Sequence, residues 1–120
     1  MANRKFDNCI EELQNKYILF KTKMIETGID FIVTCTTRTE TEQKELYAQG
    51  RTKPGKIVTW TLKSKHIEGK AFDICLLKNG KLNWNVSDLD WQKAGLIGES
   101  VGLKWGGRFK NKDFPHFETT

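Results

Sequence analysis

The sequence predicts an α+β fold, a small single domain over residues 1–120 with a short, mainly antiparallel sheet flanked by helices. Three observations lead there. Helical and strand-like periodicities alternate along the chain in the order α-β-α-β-α-β. The strand-like segments are short and bounded by turn residues, which favours antiparallel pairing. At 120 residues and 38% hydrophobic, with four Trp and seven Phe, the chain can fill one core but not two.

The elements follow in order. From about Phe6 to Thr27, the residues Phe6, Ile10, Leu13, Tyr17, Phe20 and Met24 recur at spacings of three and four. That spacing is an amphipathic helix, ended near Gly28. Phe31 to Thr36 is rich in β-branched residues and reads as a strand. Thr39 is placed to cap a helix from Glu40 to Ala48, with Glu42 completing a capping box. Gly50 stops that helix, and Arg51 to Gly55, with Pro54, reads as a loop. Ala71 to Leu77 is a second strand, followed by the turn signal Asn79-Gly80. Ser87 to Gly102 reads as a third helix through Leu89, Ala94, Leu96, Ile97 and Val101. Gly106-Gly107 marks a turn, and Phe114 to Glu118 a short last strand. No repeat, low-complexity tract or linker interrupts this order.

A formal charge of +5 favours anionic partners such as nucleic acid, a membrane surface or an acidic wall polymer. The basic residues are scattered, which argues against a nucleic-acid tail. Cys9, Cys35 and Cys75 are odd in number and far apart, so they suit buried positions in a reducing compartment rather than a disulfide framework. Met1 to Lys5 leads into a polar segment without an apolar h-region, so the expectation is synthesis in the cytoplasm without a signal peptide. Nothing approaches the length of a membrane span, and no stable membrane insertion is expected.

The chain has only two histidines, and each sits in a segment suited to hold a metal. The first segment runs Ser64-Lys65-His66-Ile67-Glu68-Gly69-Lys70-Ala71-Phe72-Asp73, the second Asp113-Phe114-Pro115-His116-Phe117-Glu118. Two imidazoles and one carboxylate are a ligand set for catalytic zinc, with a fourth position open to water. A turn at Gly69 would set His66 beside the strand that carries Asp73. Alternation along that strand puts Ala71, Asp73 and Cys75 on one face and Phe72, Ile74 and Leu76 on the other. A carboxylate between Phe72 and Ile74 is costly unless paired or metal-bound, although an exposed strand Asp remains the simpler alternative. His116 alone would equally suit a hydrogen-bonded structural residue, and the combination carries the signal. Pro115 stiffens the backbone just before His116.

The Ser64–Asp73 block and the terminal D-x-P-H resemble zinc peptidases of bacterial peptidoglycan stem peptides. That family includes D-alanyl-D-alanine carboxypeptidases and the L-alanyl-D-glutamate peptidase domains of phage endolysins. The segment Thr37 to Arg51 is similar to the family's T-x-R-[ST]…Q…L-Y-x-Q-G-R block. Together the blocks span Thr37 to Phe117, about two-thirds of the chain. The resemblance implies that His66, Asp73 and His116 bind Zn2+ on the sheet and that Asp113 is the general base and acid. Many relatives carry Glu at that last position, so Asp113 is a departure, shared with endolysin-type members.

Arg38, near a helix N-terminus where a cation opposes the dipole, is expected to neutralise the oxyanion or grip a substrate carboxylate. Gln43 and Ser64 are expected to orient substrate or the ligands, or else to make plain surface hydrogen bonds. Trp60, Trp84, Trp91 and Trp105 could line a cleft, but most are expected in the core. The implied function is zinc-dependent hydrolysis of stem peptides by a monomer acting on bacterial peptidoglycan, with no nucleic-acid partner. The bond expected is L-alanyl-D-glutamate and the role that of a phage endolysin, made in the host cytoplasm and acting on the wall after release. A D-alanyl-D-alanine carboxypeptidase is the alternative. A non-catalytic wall-binding module stands further off, since Asp113 is retained, and a DNA-binding module further still.

Overall fold

A computed structural model describes residues 3–120, so the first two residues of the Met1–Lys5 segment lie outside the described residues. The described chain runs α1 (Glu11–Thr27), β1 (Asp30–Cys35), α2 (Glu40–Ala48), β2 (Ala71–Lys78), β3 (Lys81–Asn83), α3 (Leu89–Ser100), β4 (Lys104–Trp105) and β5 (His116–Glu118). A single 3-10 turn, Gly106–Arg108, joins β4 to the last loop. All strand pairs are antiparallel, in the order β1-β2-β5-β4. β1 takes one edge of β2, while β5 pairs its beginning (Ala71 to Asp73) and β3 its end (Leu76 to Lys78) on the other edge. This is the α+β architecture expected from the sequence.

The core lies between the sheet and two helices. Leu13, Phe20 and Met24 from α1 meet Trp91 and Ala94 from α3 over Phe72, Ile74 and Leu76 of β2 and Phe117 of β5. Phe72 stacks on Phe117 at 5.5 Å between ring centroids, and Phe20 tilts onto Phe117 at 4.9 Å. Burying a large apolar side chain contributes on the order of 1.5–3 kcal/mol, so this layer fixes which face of the sheet turns inward. Ala71, Asp73 and Cys75 are thereby presented on the opposite face. Cys9, Cys35 and Cys75 are all buried and free. Among the described residues, no helix is long and apolar enough to cross a membrane.

Local chemistry sets most of the boundaries. α2 begins at Thr39, whose hydroxyl accepts from the Glu42 N–H while the Glu42 carboxylate accepts from the Thr39 N–H. Asp88 caps α3 by accepting from the Asp90 N–H, and its other oxygen accepts from Lys78 and Asn83, tying the β2–β3 hairpin to the helix. The helix therefore starts at Leu89 rather than at Ser87. α1 also starts later than the apolar spacing suggests. Phe6 to Cys9 close a turn, and the Ile10 N–H donates to the Gly69 carbonyl at 3.0 Å instead of to a helical partner. Phe6 and Ile10 still pack on the core from this turn. β3 and β4, with three and two residues, were not expected from the sequence.

Gly69 fixes where the N-terminal turn meets the His66 segment. Its φ is +69°, and a Cβ there would lie 2.8 Å from the Asn8 carbonyl oxygen. We predict that Gly69→Ala costs about 1–3 kcal/mol of stability through backbone strain and overpacking. Urea unfolding of the two proteins measures this, and an unchanged midpoint would show that the contact is dispensable.

Candidate metal centre and cleft

The register of β2 against β5 creates the site. Asp73 lies directly opposite His116, on the face away from the core. On the other side of β2, Cys35 of β1 is opposite Asp73, next to a register shift between Val33 and Cys35. His66 comes from the turn between Lys65 and Gly69, which Ser64 caps by accepting the His66 N–H at 3.2 Å. The Arg38 N–H donates to the His66 carbonyl at 3.1 Å, holding this turn to the β1–α2 loop.

Three of the expected residues converge on one atom. His66 Nε2 and His116 Nδ1 are each 3.1 Å from Asp73 Oδ1, and the rings are 5.2 Å apart. The outer nitrogens are also engaged. His66 Nδ1 is 2.5 Å from the Thr36 carbonyl oxygen, an atom that can only accept, so this nitrogen carries the proton. His116 Nε2 is 2.7 Å from Glu118 Oε1. Asp73 is not an exposed strand residue, because its side chain is only 20% accessible and Arg38 Nη2 approaches its second oxygen at 4.0 Å.

The charges reinforce one another. Burial works against the charged imidazole of His66, but its bonds to Asp73 and Cys35 hold its pKa up at about 10. Burial likewise opposes charge on His116, and Asp73 and Glu118 hold its pKa at about 9. Burial pushes the Asp73 carboxyl upward, but the two imidazoles hold it well below the usual carboxylate range. Asp113 behaves differently. Lost hydration on the cleft side, then the Asp73 charge, raise its proton affinity although the residue sits at the exposed rim.

Among the described residues, two groups of donors lie close enough to hold one ion: Asp73, Asp113 and His116, and Cys35, His66 and Asp73, each within 4.8 Å. Asp73 is common to both. Cys35 Sγ is 3.8 Å from His66 Nδ1, the nitrogen already bound to Thr36. Each group contains one of the two histidines, and the inward nitrogens of both face the Asp73 carboxylate that the groups share, with Asp113 beside His116. Asp113 is placed by Gly106, whose carbonyl accepts the Asp113 N–H at 2.9 Å. A Cβ on Gly106 would lie 2.2 Å from the Asp113 carbonyl oxygen and 3.0 Å from His116 Cβ.

The site opens into a cleft of about 750 Å³, lined on one wall by residues 57–61 and on the other by residues 109–113. The first wall belongs to an irregular strap whose anchors all come from the Thr37–Arg51 block. Gln43, fully buried, donates to Thr59 Oγ1 at 3.2 Å and the Thr61 carbonyl at 2.7 Å, and accepts from Arg38 Nη1 at 2.7 Å. Gln49 donates to the Lys56 carbonyl at 3.0 Å, and Arg51 to the Thr59 carbonyl at 3.2 Å. Gln43 thus holds Arg38 and the strap, and Ser64 caps a turn, so both act on protein atoms.

The strap displays Trp60, 62% exposed, over the cleft, and Trp84 is half exposed where it stacks on Trp91. Only Trp91 and Trp105 are core residues, so the expectation that most of the tryptophans are buried fails for two of four. Sequence reasoning admits Glu118 only as an alternative proton acceptor to Asp113, not as a partner of His116, and gives Thr36 no part. Glu118 lies two residues after His116 on the same strand, and that alternation was a usable signal. Thr36 acts through a backbone carbonyl, which leaves no trace in the side-chain pattern.

Comparison with known proteins agrees with this fold. The sequence family described as D-alanyl-D-alanine carboxypeptidase matches residues 58–119. The peptidoglycan L-alanyl-D-glutamate endopeptidase CwlK of Bacillus subtilis (strain 168) is 38% identical over 82% of this chain, which spans 65% of that relative's length. The solved L-Ala D-Glu endopeptidase ChiX of Serratia marcescens superposes with a TM-score of 0.78 at 22% identity, covering 100% of this chain and 89% of that one. The LdcB LD-carboxypeptidase superposes with a TM-score of 0.73 at 17% identity, over 92% of this chain and 58% of that one. At those identities the two structures establish a shared fold.

The histidines also give the metal-free chain a pH dependence. Their folded pKa values, about 10 and about 9, exceed the ordinary 6.5, so their contribution is fully present below that value. It is lost as pH rises through the folded values. Thermal melts in chelator should therefore show stability declining from pH 7 to pH 10, and a flat or rising profile would contradict the paired-imidazolium arrangement.

Proposed function

This chain belongs to the D-alanyl-D-alanine carboxypeptidase family, and on that premise we propose that it is a zinc peptidase that hydrolyses peptidoglycan stem peptides. The observation that carries the reading is the convergence of His66, Asp73 and His116 beside Asp113 at the floor of an open cleft. His66 Nε2, His116 Nδ1 and the Asp73 carboxylate would hold the ion. Zinc bound there would polarise the scissile carbonyl and make an attacking water more acidic.

The remaining steps belong to the chain itself. Asp113 takes a proton from the attacking water and delivers it to the leaving amine. Its raised proton affinity, caused by lost hydration and by Asp73, suits both halves of that exchange. Arg38, aimed by Gln43, offers its guanidinium to the developing oxyanion or to a substrate carboxylate. The strap and the 109–113 loop bound the space in which an extended peptide would lie.

The bond we propose is that between L-alanine and D-glutamate, the one named for the Bacillus relative. Severing it would separate the stem from the glycan, which suits the further proposal of a monomeric phage endolysin reaching the wall from the host cytoplasm. The +5 charge favours approach to an anionic wall. The D-alanyl-D-alanine specificity in the family's description remains the second reading.

We predict that His66→Ala, Asp73→Ala or His116→Ala each lowers bound zinc and abolishes wall lysis. Full zinc occupancy in His116→Ala, measured by atomic absorption, would remove that residue from the ligand set. Asp113→Asn should keep zinc and fold but lose about a hundred- to ten-thousand-fold in turnover. Native turnover in that variant would assign the proton transfer to another group. Mass spectrometry of digested wall should find new amino termini on glutamate and glycan strands left with L-alanine, with less product as salt is raised. Free D-alanine with stems still attached would instead establish the carboxypeptidase.

A further inference from the structure

We propose that Glu118 is a positioning residue that selects the nitrogen His116 presents to the ion, an inference that rests on the metal reading above. His116 and Glu118 alternate on β5, so both side chains leave the sheet on the side of Asp73. Glu118 Oε1 lies 2.7 Å from His116 Nε2, and its side chain is 14% accessible, so water competes little for that bond. A carboxylate can only accept, which places the proton on Nε2. In the metal-free chain Nδ1 donates to Asp73 Oδ1, 3.1 Å away, and an ion taken between them would replace that proton while the Nε2 proton stays bonded to Glu118.

The two histidines are oriented by different means. His66 is held by a backbone carbonyl, which no side-chain substitution removes. The outer nitrogen of His116 depends on a single carboxylate, that of Glu118, whose negative charge also strengthens the imidazole as a donor. Asp113, on the other side of His116, belongs to the group that could hold an ion, and Glu118 does not. Asp113 and Glu118 thus have separate tasks, one at the reacting side of His116 and one at the rear of its ring.

Competition titration of zinc against a chromophoric chelator tests this in the full chain, with Glu118→Ala and Glu118→Gln beside the native protein. Glu118→Ala should bind zinc about 10- to 100-fold more weakly. Glu118→Gln keeps an oxygen that can accept from Nε2, so it should recover most of that loss. The visible spectrum of the cobalt-loaded protein should change in the alanine variant and stay near native in the glutamine variant. Far-ultraviolet circular dichroism confirms that each variant is folded. Native affinity in Glu118→Ala, or an equal loss in both variants, would overturn the positioning role while leaving the zinc site in place. Failure of the native chain to bind zinc would overturn the metal reading and this inference with it.

Discussion

The antiparallel register of β2 with β5 joins the core to the site. Phe72 opposes Phe117 on one face and Asp73 opposes His116 on the other. The aromatic pair is fully buried in the core that α1 and α3 cover. A slip of one residue would expose both rings and bury the carboxylate and imidazole among apolar groups. The packing that stabilises the fold is therefore the packing that aligns Asp73 with His116. Glu118 and Ala71, the next pair but one, extend the same face.

Around this ladder the chain supplies two further supports from distant segments. The His66 turn is locked by Gly69 against the N-terminal turn and by the Arg38 N–H against the β1–α2 loop. The Thr37–Arg51 block anchors the strap through Gln43, Gln49 and Arg51. Arg51 also lies over the Tyr47 ring at 3.8 Å, a cation–π contact that stiffens the end of α2. Conserving geometry in this way keeps Arg38 and the strap at fixed distance from the ligands without placing either in a regular element.

Much of this was legible in the sequence because it is local. The Thr39–Glu42 cap, the Asn79-Gly80 turn and the alternation around Asp73 each depend on near neighbours. The chain's two histidines drew attention to the ligand segments before any fold was known. What was not legible depends on partners far along the chain. The start of α1 is set by a bond from Ile10 to Gly69, and β4 exists only because β5 lies beside it. Trp60 stands exposed because three side chains hold the strap in place, which its own neighbours in sequence do not reveal.

We propose one metal ion between β2 and the His66 turn, held by both inward-facing imidazole nitrogens. Anomalous X-ray scattering at the zinc edge, from crystals of the zinc-loaded protein, locates that ion directly. A single strong peak is expected about 2.0–2.1 Å from His66 Nε2 and His116 Nδ1 and about 2.0–2.2 Å from an Asp73 oxygen. A peak at Cys35 Sγ without His116, or at His116 Nε2 beside Glu118, would contradict it.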